Sequence, residues 1–99
     1  MLSTQIGIKT MKNTIQTIIE KEIPKGCIFD AHSIIEYLIQ NHSDIYLSTY
    51  KNGWTTEYYH SEISKLIVEF ENVIITRIGE SWSINLHKKF SKNTCWAKL

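Results

Sequence analysis

The chain has one proline, Pro24, one arginine, Arg77, four scattered glycines, and no long apolar run. Each scarcity excludes something. A helix that crosses a bilayer needs about 20 consecutive apolar residues, so no membrane span is expected. Gly7, Gly26, Gly53 and Gly79 are too dispersed to build a loop that cradles phosphate. A formal charge of +1 withholds the broad basic footprint of a dedicated phosphate binder, so any cationic surface must be local. Cys27 and Cys95 are far from the dense pattern of a secreted disulfide scaffold, and both thiols are expected to be reduced. The opening "MLSTQIGIKTMKNT" carries no long apolar stretch behind a basic start, so no secretory signal is expected and the cytoplasm is the expected compartment.

The residues present describe a globular chain. Hydrophobic residues make up 42% and charged residues 21%, which favours a packed core over a disordered tail. Ninety-nine residues suffice for one such core and not for two, so residues 1–99 are expected to form a single domain. Ile, Lys and Asn are abundant while Ala, Val and Arg are scarce, the residue usage of an AT-rich genome. Lysine number by itself is therefore weak evidence of a basic function.

Periodicity predicts helices first. In "TMKNTIQTIIEKE", Met11, Ile15, Ile18 and Ile19 share one face, and "IPKG" ends the helix because Pro24 lacks a donor and Gly26 permits a reversal. "CIF" at 27–29 suits a short strand, with Cys27 buried and unreactive. Asp30 then suits the N-cap of a helix whose stripe is Ala31, Ile34, Ile35, Leu38 and Ile39. Within 43–55, Ile45, Tyr46, Leu47 and Tyr50 suit either a short helix capped at Ser43 or an extended segment, and the helix is favoured. After Asn52-Gly53, Thr55 or Thr56 caps a further helix with Tyr59, Ile63, Leu66, Ile67 and Phe70 on its buried stripe.

"NVIITRIGESWSINLH", residues 72–87, alternates about Gly79-Glu80 and predicts a hairpin with a type II′ turn. That register sets Arg77 against Trp82, Ile75 against Ile84 and Val73 against Leu86. Val73, Ile75, Trp82, Ile84 and Leu86 would then face the helices, with Ile74, Thr76 and Ile78 on the other side. Residues 88–99, "KKFSKNTCWAKL", read as a basic tail whose Phe90 and Trp96 are expected to fold back over the core.

Helix, short strand, two or three helices and a hairpin form an α+β order that resembles the winged helix-turn-helix superfamily over roughly residues 10–87. The stretch "CIFDAHSIIEYLIQNHSDIYL…YYHSEISKLI" is similar to the core of small bacterial and prophage proteins of that class. The resemblance implies a small non-enzymatic regulator that binds double-stranded DNA, with the helix over 56–70 in the major groove and the hairpin as the wing. On this chain those roles fall on Tyr58, Ser61, Ser64 and Lys65 of the helix, on Arg77 of the wing, and on Lys88, Lys89 and Lys92 beside it. A homodimer is expected, since paired half-sites double a small footprint.

A second reading keeps the fold and discards DNA. Glu57, Glu62 and Glu69 lie on the helix that should meet phosphate, and Glu80 lies at the expected wing tip. Tyr58, Ile74, Ile78 and Trp96 would then bind a protein partner. A cation–π stack on Trp82 is an equal explanation of Arg77. No metal or other cofactor is implied, because Cys27, His32, His42, His60, His87 and Cys95 form no ligand cluster in sequence. His32 reads as a capping or surface residue.

Overall fold

The structure, a computed structural model, describes residues 2–99, and side chains from Gly7 onward. Its elements are α1 (Leu2–Glu22), β1 (Ile28–Asp30), α2 (Ala31–Asn41), α3 (Ser43–Thr49), α4 (Thr56–Val68), β2 (Ile75–Ile84) and β3 (Phe90–Lys98). The three strands form one antiparallel sheet in the order β1-β3-β2. This α+β arrangement, with four helices, a short strand after the first and a C-terminal hairpin, is winged-helix-like.

The helices follow their apolar stripes. Met11, Ile15, Ile18 and Ile19 of α1, Ala31, Ile34, Ile35 and Leu38 of α2, and Tyr59, Ile63 and Ile67 of α4 all enter one core. Helix α1 begins well before the stripe that reveals it, at Leu2. Asp30 caps α2 as expected: its Oδ1 accepts from Ser33 N–H at 2.8 Å and from Ser33 Oγ–H at 2.7 Å. Thr55 does the same for α4, its Oγ1 accepting from Tyr58 N–H at 3.1 Å. The short helix expected within 43–55 is α3, although its cap position is His42, one residue before Ser43, with no side-chain cap. It delivers Tyr46 to the core, where the Tyr46 and Tyr50 rings lie 5.0 and 4.5 Å from that of Tyr59. The Tyr59 hydroxyl donates to the Tyr46 carbonyl, which satisfies a phenol whose pKa is raised first by burial and then by its tyrosine neighbours.

The hairpin lies elsewhere in the chain than its turn signal suggests. Gly79-Glu80 is not a turn: β2 runs through it to Ile84, the reversal is made by 85–89, and the expected basic tail is the return strand β3. Gly79 instead follows a β-bulge at Ile78, and its φ of +156° explains the glycine. The register changes with the turn, so that Arg77 lies opposite Trp96 and Trp82 opposite Lys92.

The buried face changes as well. Of the five residues expected to pack on the helices, Ile75 is buried and Leu86 half-buried, while Val73, Trp82 and Ile84 are 68%, 66% and 53% exposed. Trp96 takes the place on the core, 5.7 Å from the Phe29 ring and fully buried. It folds inward as expected, whereas Phe90 stays in solvent. Cys27 is exposed, contrary to its apolar setting, because it lies in the reversal before β1, its N–H donating to the Pro24 carbonyl at 3.0 Å. Among the described residues no helix is long and apolar enough to cross a membrane.

Candidate nucleic-acid interface

Helix α4 turns Tyr59, Ile63 and Ile67 inward, and the 100° spacing leaves Glu57, Tyr58, Ser61 and Lys65 on the solvent side with Ser64 at its margin. Tyr58 stands edge-on to Trp54 at 5.3 Å, and the Lys51 ammonium lies 5.6 Å from the Trp54 ring centre. Ser61 Oγ donates to the Tyr58 carbonyl at 2.7 Å and Ser64 Oγ to the His60 carbonyl at 3.1 Å. Both hydroxyls keep their lone pairs as acceptors. Both acids on this helix, and Glu69 at its C-cap, have a basic neighbour: Glu57 with His87 at 3.1 Å, Glu62 with Lys65 at 3.1 Å, and Glu69 with Lys12 at 2.7 Å.

The hairpin tip reaches the start of this helix. Asn85 shapes the tip without glycine, its Oδ1 accepting from the N–H groups of His87 at 2.9 Å and Lys89 at 3.2 Å. Lys88 takes the left-handed conformation at φ 65°. His87 is thereby aimed at Glu57, and Lys88 and Lys89 point into solvent with no carboxylate partner among the described residues.

Behind the tip lies a cleft of about 180 Å³ between hairpin, α2 and α4, lined in part by His32, Glu57, His60, His87 and Ser91. His32 is neither cap nor plain surface residue. Its Nδ1 hydrogen-bonds Ser83 Oγ, its Nε2 lies 3.4 Å from Ser91 Oγ, and its backbone N–H donates to Asn93 Oδ1 at 3.3 Å. The first turn of α2 is thus fastened to both hairpin strands. His60 Nε2 lies 2.8 Å from the Tyr46 hydroxyl. Burial pushes the His60 pKa below its ordinary value, neighbouring His87 and His32 push the same way, and Glu57 opposes them. Three histidines therefore converge, yet among the described residues no group of three His, Cys, Asp or Glu side chains is placed to hold a metal ion.

The structure separates the other expected site residues from this group. Arg77 is engaged at the far end of β2, where its Nε donates to Glu71 Oε2 at 2.8 Å, and the same oxygen accepts from Trp96 Nε1 at 2.7 Å. It does not stack on Trp82. Lys92 lies 3.7 Å from Glu80, and Lys65 is held by Glu62. For a protein partner, Trp96 is buried and unavailable, Ile74 is half-buried beside the chain end, whose Leu99 N–H donates to its carbonyl at 2.9 Å, and Tyr58 and Ile78 are exposed.

Tyr58, Ser61, Lys88 and Lys89 are exposed, as their expected role requires, while sequence reasoning misses the residues that set the hairpin against the helices: His32, Asn85, Ser83, Ser91 and Asn93. Only Asn85 has a local signal, as a turn former. The others act across 50 or more residues of chain. The chain matches no protein-family model, no curated protein and no solved structure.

Proposed function

We propose that this chain is a small non-enzymatic protein that binds double-stranded DNA, with α4 entering the major groove and the hairpin tip meeting the adjacent backbone, in the role of a transcriptional regulator. One observation carries the reading: Lys88 and Lys89, free of carboxylates among the described residues, are held beside the hydroxyl-bearing start of α4 by the Asn85 turn and the His87–Glu57 contact. The acids that argued against this face are less adverse than their number suggests. Glu57 lies at the positive end of the α4 dipole and beside His87, and Glu62 is beside Lys65.

Phosphate neutralisation falls to Lys88 and Lys89, with Lys92 behind them, while Tyr58, Ser61 and Ser64 supply groove contacts. Arg77, bound to Glu71, has a structural part instead. A cytoplasmic setting with reduced thiols, and a homodimer carrying two half-sites, belong to the same proposal. Fluorescence anisotropy with a labelled duplex at low salt tests it directly: binding that weakens as salt rises is expected, and no detectable binding at low salt contradicts it.

A second reading, a protein-interaction module on the same fold, draws on the exposed Ile78, Trp82, Ile84 and Phe90. It requires a complex that survives loss of Lys88 and Lys89.

A further inference from the structure

The hairpin carries its polar and apolar side chains in an inverted order. A ribbon packed on helices ordinarily turns its apolar alternate residues toward them. Here Ser81, Ser83, Ser91 and Asn93 are the half-buried set, and they are joined to one another and to α2 by hydrogen bonds: Asn93 Nδ2 donates to the Ser81 carbonyl at 3.2 Å and to Ser83 Oγ at 3.3 Å, and His32 bridges Ser83 and Ser91. The opposite set is Trp82 and Ile84 on β2 with Lys92 and Phe90 on β3. Trp82 is directly across from Lys92 and Ile84 across from Phe90, so these four share one face. Phe90 is 68% exposed, as open as Trp82.

Nothing in the fold requires that face to be apolar, since the hairpin is held through its other side. Two aromatic rings kept in water two rungs apart on one face are a solubility liability unless something covers them. What surrounds them selects the occupant. Lys88 and Lys89 lie in the turn that joins Ile84 to Phe90, Lys92 is on the face itself, and Glu80 is the one acid of the hairpin, already beside Lys92. A second copy of the chain would double this excess of positive charge at the contact. An unpaired strand of nucleic acid fits instead, because each base offers a flat π surface for stacking and each phosphate a partner for lysine. Bases inside a duplex are already stacked on one another and offer no such surface.

We infer that the Trp82–Ile84–Phe90 face stacks unpaired nucleobases, so that the protein prefers duplex with a single-stranded extension over blunt duplex. The inference rests on the proposed DNA binding for its phosphate contacts and adds the class of DNA structure that is preferred.

The test is a paired titration of the whole protein with one labelled duplex, blunt or carrying a short oligo-dT extension. The extension is expected to tighten binding roughly tenfold, the effect of stacking about one base. The double substitution Trp82→Ala with Phe90→Ala is expected to abolish that gain and leave blunt-duplex affinity in place, while Trp82→Phe retains most of it. Both side chains are exposed, and circular dichroism with a melting curve checks that the variant folds. Equal affinity of the native protein for the two DNAs overturns the inference whatever the variants do, and so does a gain that persists in the double variant. Blunt duplex bound without any gain leaves the duplex reading standing, whereas failure to bind either DNA removes both.

Discussion

His87 Nε2 lies 3.1 Å from Glu57 Oε1, joining the tip of the hairpin to the first turn of α4. The contact sets the two candidate DNA-facing elements side by side, and it places a carboxylate where phosphate should approach. Both side chains are largely in water, 41% and 71% exposed, so Glu57→Gln should change folding stability by less than about 1 kcal/mol in urea titrations. The same substitution removes a negative charge from the proposed interface, while its amide oxygen still accepts from His87. Duplex affinity at low salt should therefore rise a few-fold. A fall in affinity would mean that Glu57 is needed as a charge and that α4 does not approach phosphate at this end.

Glu71 anchors the core end of the hairpin. One of its oxygens accepts from both Trp96 Nε1 and Arg77 Nε, and its side chain is only 20% exposed. Glu71→Ala leaves the indole N–H of the fully buried Trp96 without its acceptor, and should cost about 2 kcal/mol. Glu71→Gln keeps an acceptor and should cost less. The Trp96 hydrogen bond first, and Arg77 after it, hold the Glu71 carboxyl below its ordinary 4.5 against the opposing effect of burial. A lowered carboxylate pKa stabilises the fold above the unfolded value and loses that contribution as pH falls through the folded one. Acid unfolding of Glu71→Gln should accordingly show a weaker dependence on pH below 4.5 than the native protein.

His60 acts on the same acid arm of the profile, at higher pH. Its pKa is lowered from 6.5, by burial first and then by His87 and His32, so the unfolded chain takes up a proton before the folded one does. Stability is fully present well above 6.5 and declines as pH falls from there toward the depressed folded value. Urea midpoints measured from about pH 7.5 down to about pH 5 should decrease, and His60→Gln should flatten that decrease. Equal slopes for the two proteins would place the buried proton elsewhere.

Asp30 ends the short strand and starts α2. Its pKa is lowered although burial works to raise it, because hydrogen bonds from the Ser33 side chain and backbone prevail. Asp30→Ala should cost about 1 kcal/mol, while Asp30→Asn, which still caps, should cost a few tenths. Since the first turn of α2 also carries His32, the alanine variant should additionally weaken amide protection in the hairpin strands that His32 joins, readable by hydrogen exchange.

Helices α1, α2 and α4 were legible because each carries a repeated apolar stripe and, at Asp30 and Thr55, a capping side chain beside it, whereas the short α3 buries only Tyr46 and has no side-chain cap. The hairpin was legible as an element and misplaced in the chain. Gly79 signals a turn and a bulge alike, since both use a backbone conformation that other residues avoid. The true turn at 85–89 has no glycine, and Lys88 adopts a left-handed φ that its type seldom signals. Strand β3 hid in a polar stretch because its pairing with β1 and β2 is long-range, and only Trp96 in it is fully buried. Of the candidate site, the exposed residues of α4 follow from helical spacing alone. That Lys88 and Lys89 belong beside them depends on the local Asn85 turn and on His32 and His87, whose distant partners no local pattern predicts.

Lys88 and Lys89 are the proposed phosphate contacts of a duplex-binding face. The most direct measurement is the salt dependence of duplex affinity for the native protein and for Lys88→Ala with Lys89→Ala. The account predicts weaker binding by the variant at low salt and a slope of log K against log salt that is smaller by about 1.8, two contacts at about 0.9 each. An unchanged slope, or a native protein that binds no duplex at low salt, would contradict it.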